Sequence, residues 1–210
     1  MDETDEHERW EAKHSSDEFE LPENPVPELE RLVDEFPDGR ALDVATGTGR
    51  NAVFLAEEGY EVDALDISET ALSEARETAK ERGVDDAVNW ILADVDSFDV
   101  PCDCYDVVVV SFFDGLGLIP DLKESLRDCG VVVYEHHLRS ADEVDYGPSD
   151  DRHRLRSNDL LRAFLDMTVL VYREETRVEH DDGEERRGAV ATVVARKSSG
   201  RRQSYPETEY

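Results

Sequence analysis

The stretch Leu42–Ser68, LDVATGTGRNAVFLAEEGYEVDALDIS, decides the fold. Arg40 to Ala45 reads as a strand and runs into Thr46-Gly47-Thr48-Gly49. Arg50 to Glu58 then has helical spacing and is stopped by Gly59. Glu61 to Ile67 is a second strand. Strand, glycine loop, helix and strand in that order form the crossover unit of a parallel sheet. Gly47 and Gly49 have no side chain, so the backbone can turn tightly and a ligand can approach closely. Asp66 ends the second strand, 19 residues after Gly47. A carboxylate there accepts hydrogen bonds from the two hydroxyls of a ribose.

The alternation continues outward. Ser68 is a natural N-cap for a helix that runs to Gly83. A third strand covers Asn89 to Ala93 and ends at Asp94, and a fourth covers Asp106 to Ser111. The four valines of the fourth, Val107 to Val110, show no alternation, as in a central strand buried on both faces. A helix near Leu118 to Asp128 and a strand from Gly130 to Glu135 follow. Residues 138 to 156 read as an irregular polar connection. Ser157 is expected to cap a helix to about Asp166. Thr168 to Arg177 and Gly188 to Ala195 form a hairpin about Asp182-Gly183. Upstream, Pro22, Pro25 and Pro27 punctuate an extended lead-in, and residues 28 to 36 read as a short amphipathic helix. The expected division is an acidic leader or lid over residues 1–25, a folded domain over 26–197 and a flexible tail over 198–210.

Composition narrows the function. The 210 residues carry 53 Asp and Glu against 23 Lys and Arg, a balance of −30. Nucleic-acid binding needs clustered cations facing phosphates, so it is disfavoured, as is docking on anionic membranes. Only four of the cations are lysines. Carboxylates spread along the chain with so few lysines resemble the proteins of salt-loving archaea. The first residues, MDETDEHERW, have no basic region followed by an apolar one, and no apolar run approaches the ~18 residues of a membrane helix. A cytoplasmic protein is expected, monomeric or homodimeric. Cys102 and Cys104 have no second ligand pair at metal spacing, so no metal is expected.

The glycine loop has two readings. Gly47-x-Gly49-x-x-Ala52 fits a dinucleotide fingerprint, which would make the protein a nicotinamide-dependent oxidoreductase. Asp43, inside the first strand and four residues before Gly47, argues otherwise. A pyrophosphate would be repelled there, whereas a cationic nucleoside would be held. S-adenosyl-L-methionine carries a sulfonium and an ammonium group. LDVATGTG resembles the first motif of class I S-adenosylmethionine-dependent methyltransferases. ALDIS, ILADVDSF and CYDVVVVSFF resemble the second, third and fourth, in the right order across residues 26 to 197.

The resemblance implies an α/β, Rossmann-like fold: a seven-stranded, mostly parallel sheet with an antiparallel C-terminal strand and helices on both faces. It implies that Asp43, Ala45, Thr46, Gly47 and Gly49 wrap the methionine part of the cofactor, and that Asp66 holds the ribose with Ile67 beside the adenine. Asp94 and Val95 would meet the adenine edge, and Ser111 and Phe112 would form the floor. The run GRNAVFLAEEGYEVDALDIS is similar to methyltransferases of the tellurite-resistance and thiol-methylating type. Trp10 and the proline-containing lead-in resemble their lid.

The acceptor is a small molecule on this reading, with a thiol or a selenium or tellurium oxyanion as nucleophile. A methyltransferase-like domain that binds cofactor without transferring methyl is the non-enzymatic alternative. Ligands of open α/β sheets lie beyond the carboxyl ends of the strands. Trp10, Phe112, Phe113, Arg139, Arg152 and Arg154 are therefore the acceptor-site candidates, the last two as an anion-binding cluster in an acidic chain. His136 and His137 are the candidate bases. Strand alternation puts them on opposite faces, so at most one can serve.

The charge balance gives a direct test. Self-repulsion weakens a fold at low ionic strength, and salt screens it. The thermal midpoint should rise steeply from low salt to molar potassium chloride. A flat or falling midpoint contradicts the salt-adapted reading.

Overall fold

The computed structural model describes residues 7–8, 10–12, 24–181 and 184–206. Seven strands form one sheet in the order β3-β2-β1-β4-β5-β7-β6. They are β1 (Arg40–Val44), β2 (Glu61–Asp66), β3 (Val88–Leu92), β4 (Tyr105–Ser111), β5 (Leu126–His137), β6 (Thr168–Asp181) and β7 (Glu184–Arg196). Pairing is parallel from β3 through β5, and β7 is antiparallel to both β5 and β6. Helices α1 (Pro27–Leu32), α2 (Arg50–Glu57), α3 (Glu69–Arg82), α4 (Ile119–Ser125) and α5 (Asp159–Ala163) surround it.

The valine run fixes the middle of the sheet. Val107 to Val110 are all fully buried between β1 and β5. Val108 and Val110 face one core, with Leu122, Leu126, Leu160 and Phe164. Val107 and Val109 face the other, with Leu29, Leu32, Ala52 and Leu55. Burying each valine contributes about 1.5–3 kcal/mol. So α4 and α5 cover one face and α1 and α2 the other. β1 and β2 lead the chain towards one edge, β4 and β5 towards the other. The crevice between β1 and β4 is therefore the switch point where such sheets take ligands.

Three elements differ from the sequence expectation. The helix after the connection begins at Asp159, not Ser157. The Ser157 hydroxyl and the Asn158 amide both donate to Glu174 on β6, and Asn158 takes a left-handed φ of 66°. The helix expected to Asp128 stops at Ser125, because Leu126 already pairs with Tyr105 across β4. The hairpin strands run beyond their expected ends, to Asp181 and from Glu184. The turn expected at Asp182-Gly183 lies outside the described residues. Beyond β7, Arg196 donates to Gln203 Oε1 at 2.9 Å, and its guanidinium lies over Tyr205, 5.9 Å from the ring centroid.

Gly49 positions the glycine loop against the helices. Its φ is +79°, and an added Cβ would lie 2.7 Å from Ala75 Cβ on α3 and 3.3 Å from Trp90. In Gly49→Ala the left-handed backbone would cost about 1–2 kcal/mol and the overpacking about 1–3. Denaturant unfolding of this variant should show a loss of roughly 2–4 kcal/mol. A loss below about 1 kcal/mol would mean that α3 is free to move away from the loop.

Candidate functional site

The carboxyl ends of β1, β2, β4 and β5 hold most of the residues singled out in the sequence. Asp43 lies within β1 and is 1% exposed. The loop after β1 leaves the sheet through two left-handed residues, Ala45 at φ 52° and Gly47 at φ 56°. Thr46 then turns its hydroxyl back to Asp43 Oδ2 at 2.5 Å, and its amide bonds Leu65 O at 2.9 Å. Asp43 Oδ1 is buried and has no hydrogen-bond partner among the described residues. Burial pushes the Asp43 carboxyl up to about 6. The Thr46 hydroxyl, the charge of Arg50 and the polarity of the Ala52 amide offset this only in part.

Asp66 has a different environment. It is 5% exposed, and its two oxygens accept from the Gly47 amide at 2.7 Å and the Ser68 amide at 2.9 Å. One carboxylate thus ties the glycine loop to the start of α3. An ionised carboxylate has about four acceptor positions, so two remain for the hydroxyls of a ribose. Ile67 beside it is half-buried. Asp94 Oδ1 accepts from the Asp96 amide at 2.9 Å and caps the turn Val95–Ser97, while Val95 is buried in the core.

Floor and wall come from β4 and β5. Ser111 Oγ accepts from Arg50 Nη2 at 2.6 Å. Phe112 adopts a left-handed φ of 55° and stacks on His137 with centroids 4.3 Å apart. Arg50 lies over the other part of this wall, 5.6 Å from the Phe112 centroid. Phe113 accepts the Tyr134 hydroxyl at its carbonyl, 2.8 Å, and its ring packs against the core under α4. The two histidines fall on opposite faces, as alternation requires. His136 donates Nε2–H to His153 O at 3.1 Å, and burial lowers its pKa. His137 stands with Phe112 and has Tyr146 at its edge, 5.9 Å between centroids.

The remaining candidates are distributed differently. Arg152 is 84% exposed and pairs with Asp150 at 2.6 Å. Arg154 donates to Pro148 O, Leu138 O and Tyr146 O, so its guanidinium closes the connection on itself. Arg139 is exposed and donates to Arg154 O at 3.2 Å. Trp10 is half-buried within helical residues 10–12. Next to it, Glu11 accepts from the Ser68 and Thr70 hydroxyls, which docks residues 10–12 on the start of α3.

Two residues that sequence reasoning passed over complete the site. Glu135 on β5 is fully buried and meets Arg177 of β6 at 2.7 Å and Arg50 at 3.7 Å. A carboxylate directly after the apolar run Val131–Tyr134 is the one signal the sequence offered. Its partners lie 42 and 85 positions away, so no spacing rule links them.

The residues fit S-adenosyl-L-methionine on their own chemistry. A buried carboxylate with an unpartnered oxygen favours a cation, and Asp66 retains acceptors for a diol. Comparison with known proteins agrees. Residues 41–134 match the model of a family described as a methyltransferase domain. Over 91 residues the chain is 35% identical to a ubiquinone/menaquinone biosynthesis C-methyltransferase of Pectobacterium atrosepticum, covering 42% of this chain and 36% of that protein. The chain thus spans about a third of the length of the curated relative. The fold is that of TehB from Haemophilus influenzae, with a TM-score of 0.71 at 20% identity over 83% of this chain and 63% of that one. It is also that of an S-adenosylmethionine-dependent methyltransferase from Methanosarcina mazei, with a TM-score of 0.63 at 15% identity over 83% and 99%. Residues 41–134 thus resemble a methyltransferase domain, and the fold is one that S-adenosylmethionine-dependent methyltransferases share.

The Asp43 environment predicts a pH dependence. Its folded pKa of about 6 lies above the ordinary 3.8. Its contribution to stability is therefore present in full below about pH 4 and lost as pH rises through 6. Without cofactor, Asp43→Asn should melt higher than the parent above pH 7, by the equivalent of about 3 kcal/mol at most. The gap should shrink as pH falls to 4. A variant that melts lower at pH 7.5 would contradict this strain.

Proposed function

We propose that this protein transfers the methyl group of S-adenosyl-L-methionine to a small-molecule acceptor in the cytoplasm of a salt-adapted cell. The observation that carries the reading is Asp43, buried beside a glycine loop with one oxygen unpartnered. The bound cofactor supplies an electrophilic methyl on a sulfonium. Residues 26–197 form the catalytic unit in this reading, the leader closes over it as a lid, and residues 198–210 are a tail. Among the described residues no helix is long and apolar enough to cross a membrane.

Each part of the site then has a task. Asp43, Ala45, Thr46, Gly47 and Gly49 seat the methionine part, with Asp43 facing its cationic groups. Asp66 accepts the ribose hydroxyls. Ile67, Asp94 and Val95 border the adenine, and Ser111 and Phe112 close the floor. Transfer is an in-line displacement, so the chain's main work is to align the nucleophile and exclude water. The Phe112–His137 stack and the docked leader serve that purpose. The likeness of the GRN run to tellurite-resistance and thiol-methylating enzymes favours a thiol, or a selenium or tellurium oxyanion, as acceptor. Such nucleophiles need no base at the transfer step. An oxygen or nitrogen acceptor would use His137, because the His136 Nε2–H already serves His153.

Two measurements test the reading. Asp66→Ala should weaken S-adenosylhomocysteine binding by roughly 1.5–3 kcal/mol, because hydrogen bonds to a charged group are lost. Unchanged affinity by calorimetry rejects the ribose assignment. S-adenosylhomocysteine production should appear in molar potassium chloride with thiol, selenite or tellurite acceptors. Turnover confined to phenols would overturn the acceptor class, and cofactor binding with no turnover across the panel would favour the non-enzymatic alternative.

A further inference from the structure

The arginines of the irregular connection are turned to Asp150 and to loop carbonyls, but two others meet at the carboxyl edge of the sheet. Glu135 lies between them, fully buried, with Oε2 at 2.7 Å from Arg177 Nη2 and Oε1 at 3.7 Å from Arg50 Nη2. The Thr192 hydroxyl also donates to Oε2, at 3.3 Å, while Oε1 accepts no hydrogen bond among the described residues. Two guanidinium groups thus converge on one buried carboxylate in a chain whose balance is −30. Glu175 also approaches Arg177, at 3.7 Å, but its side chain is 34% exposed and it is shared with Arg173. Its charge is thus divided between two guanidinium groups.

Arg177 is more than a counterion. It bonds Glu135 through Nη2 alone, and among the described residues its Nε and Nη1 have no hydrogen-bond partner. Its side chain is 15% exposed, enough to reach a small solute and too little to be well hydrated. Neither nitrogen is a fully buried atom without a partner, so water or a small solute reaches it. Burial works against its charge, but the Glu135 carboxylate beside it raises its pKa above the ordinary arginine value. The cation is therefore permanent.

The position of the cluster supplies the function. The Glu135 carbonyl accepts the Phe112 amide at 2.9 Å, so the cluster is continuous with the floor of the candidate site. Arg50 joins both halves. It belongs to the cofactor loop's helix, draws the Asp43 carboxyl down, bonds Ser111 and lies over Phe112.

We propose that Arg177, with Arg50 behind it, holds an anionic oxygen group of the methyl acceptor, so that the acceptor carries one negative charge besides its nucleophile. This rests on the methyltransferase reading and deepens it. A guanidinium with donors to offer makes charge-assisted bonds to a carboxylate or oxyanion. The surrounding carboxylates repel larger polyanions, so the site selects a small acceptor with a single charge.

A matched pair of thiols tests the proposal. S-adenosylhomocysteine is first titrated into the full chain in molar potassium chloride. The loaded protein is then titrated by calorimetry with 4-mercaptobenzoate and with its neutral isostere 4-mercaptobenzamide. The carboxylate should bind at least tenfold more tightly. Arg177→Gln should remove that preference by weakening the carboxylate alone, with S-adenosylhomocysteine affinity unchanged within about twofold. If that variant fails to fold because Glu135 is left unpaired, the double variant E135Q/R177Q leaves no lone buried charge and is read in the same way. Equal binding of the two thiols to the parent, or a preference that survives the substitution, overturns the proposal. Failure of S-adenosylhomocysteine to bind at the first step overturns the methyltransferase reading itself and the proposal with it.

Discussion

Three carboxylates are buried at the carboxyl edge of the parallel sheet, and each must be compensated or neutralised. Removing an ionised carboxylate from water costs several kcal/mol after relaxation, so their surroundings determine what each can do. Asp66 is satisfied by two backbone amides and holds the glycine loop to α3. Glu135 accepts from Arg177 on one oxygen and faces Arg50 at 3.7 Å with the other, which links β5, β6 and α2. Asp43 has one hydroxyl bond, one empty oxygen and a pKa raised by burial. Asp66 is complete within the chain, and Glu135 has guanidinium groups at both oxygens, one of them beyond hydrogen-bonding distance. In the proposed reading the third is completed by the cation of the cofactor, which would make this edge the binding site.

The backbone around these groups carries matching strain. Ala45 ends the turn out of β1 and Phe112 the turn out of β4, and both have left-handed φ without being glycine. Such residues cost of order 1–3 kcal/mol each and persist only where the surroundings enforce them. Here the fully buried valines of β4 do so, together with the tie from Asp66 to Gly47. Both strained residues flank the crevice where the strand order reverses. Glu11 approaches from the β2 side and accepts from the hydroxyls of Ser68 and Thr70.

How much of this was legible depends on whether the interaction is local. The glycine loop, Asp43 and Asp66 lie within 24 positions, and strand and helix periodicity places them correctly. The valine run shows the central strand because burial on both faces removes alternation. Ser157 fails as a cap because Glu174, on a strand 17 positions on, captures its hydroxyl. The Glu135–Arg177 pair spans three strands, and only the insertion of β7 between β5 and β6 brings the two side chains together. A sequence read in order shows Arg152 and Arg154 as a cluster because they are adjacent. It hides Arg50 and Arg177, which are 127 positions apart and converge only through the fold.

The central claim is that Asp43 is left incomplete for a cationic cofactor, and proton exchange on binding tests it most directly. S-adenosylhomocysteine is titrated at pH 6 in buffers of different ionisation enthalpy, and the protons released are read from the dependence of the binding heat. An ammonium group beside Asp43 favours its ionised form, so roughly half a proton should be released at pH 6 and almost none at pH 8. The release should vanish in Asp43→Asn. Binding at pH 6 with no proton release, or with the same release in the asparagine variant, would contradict the account.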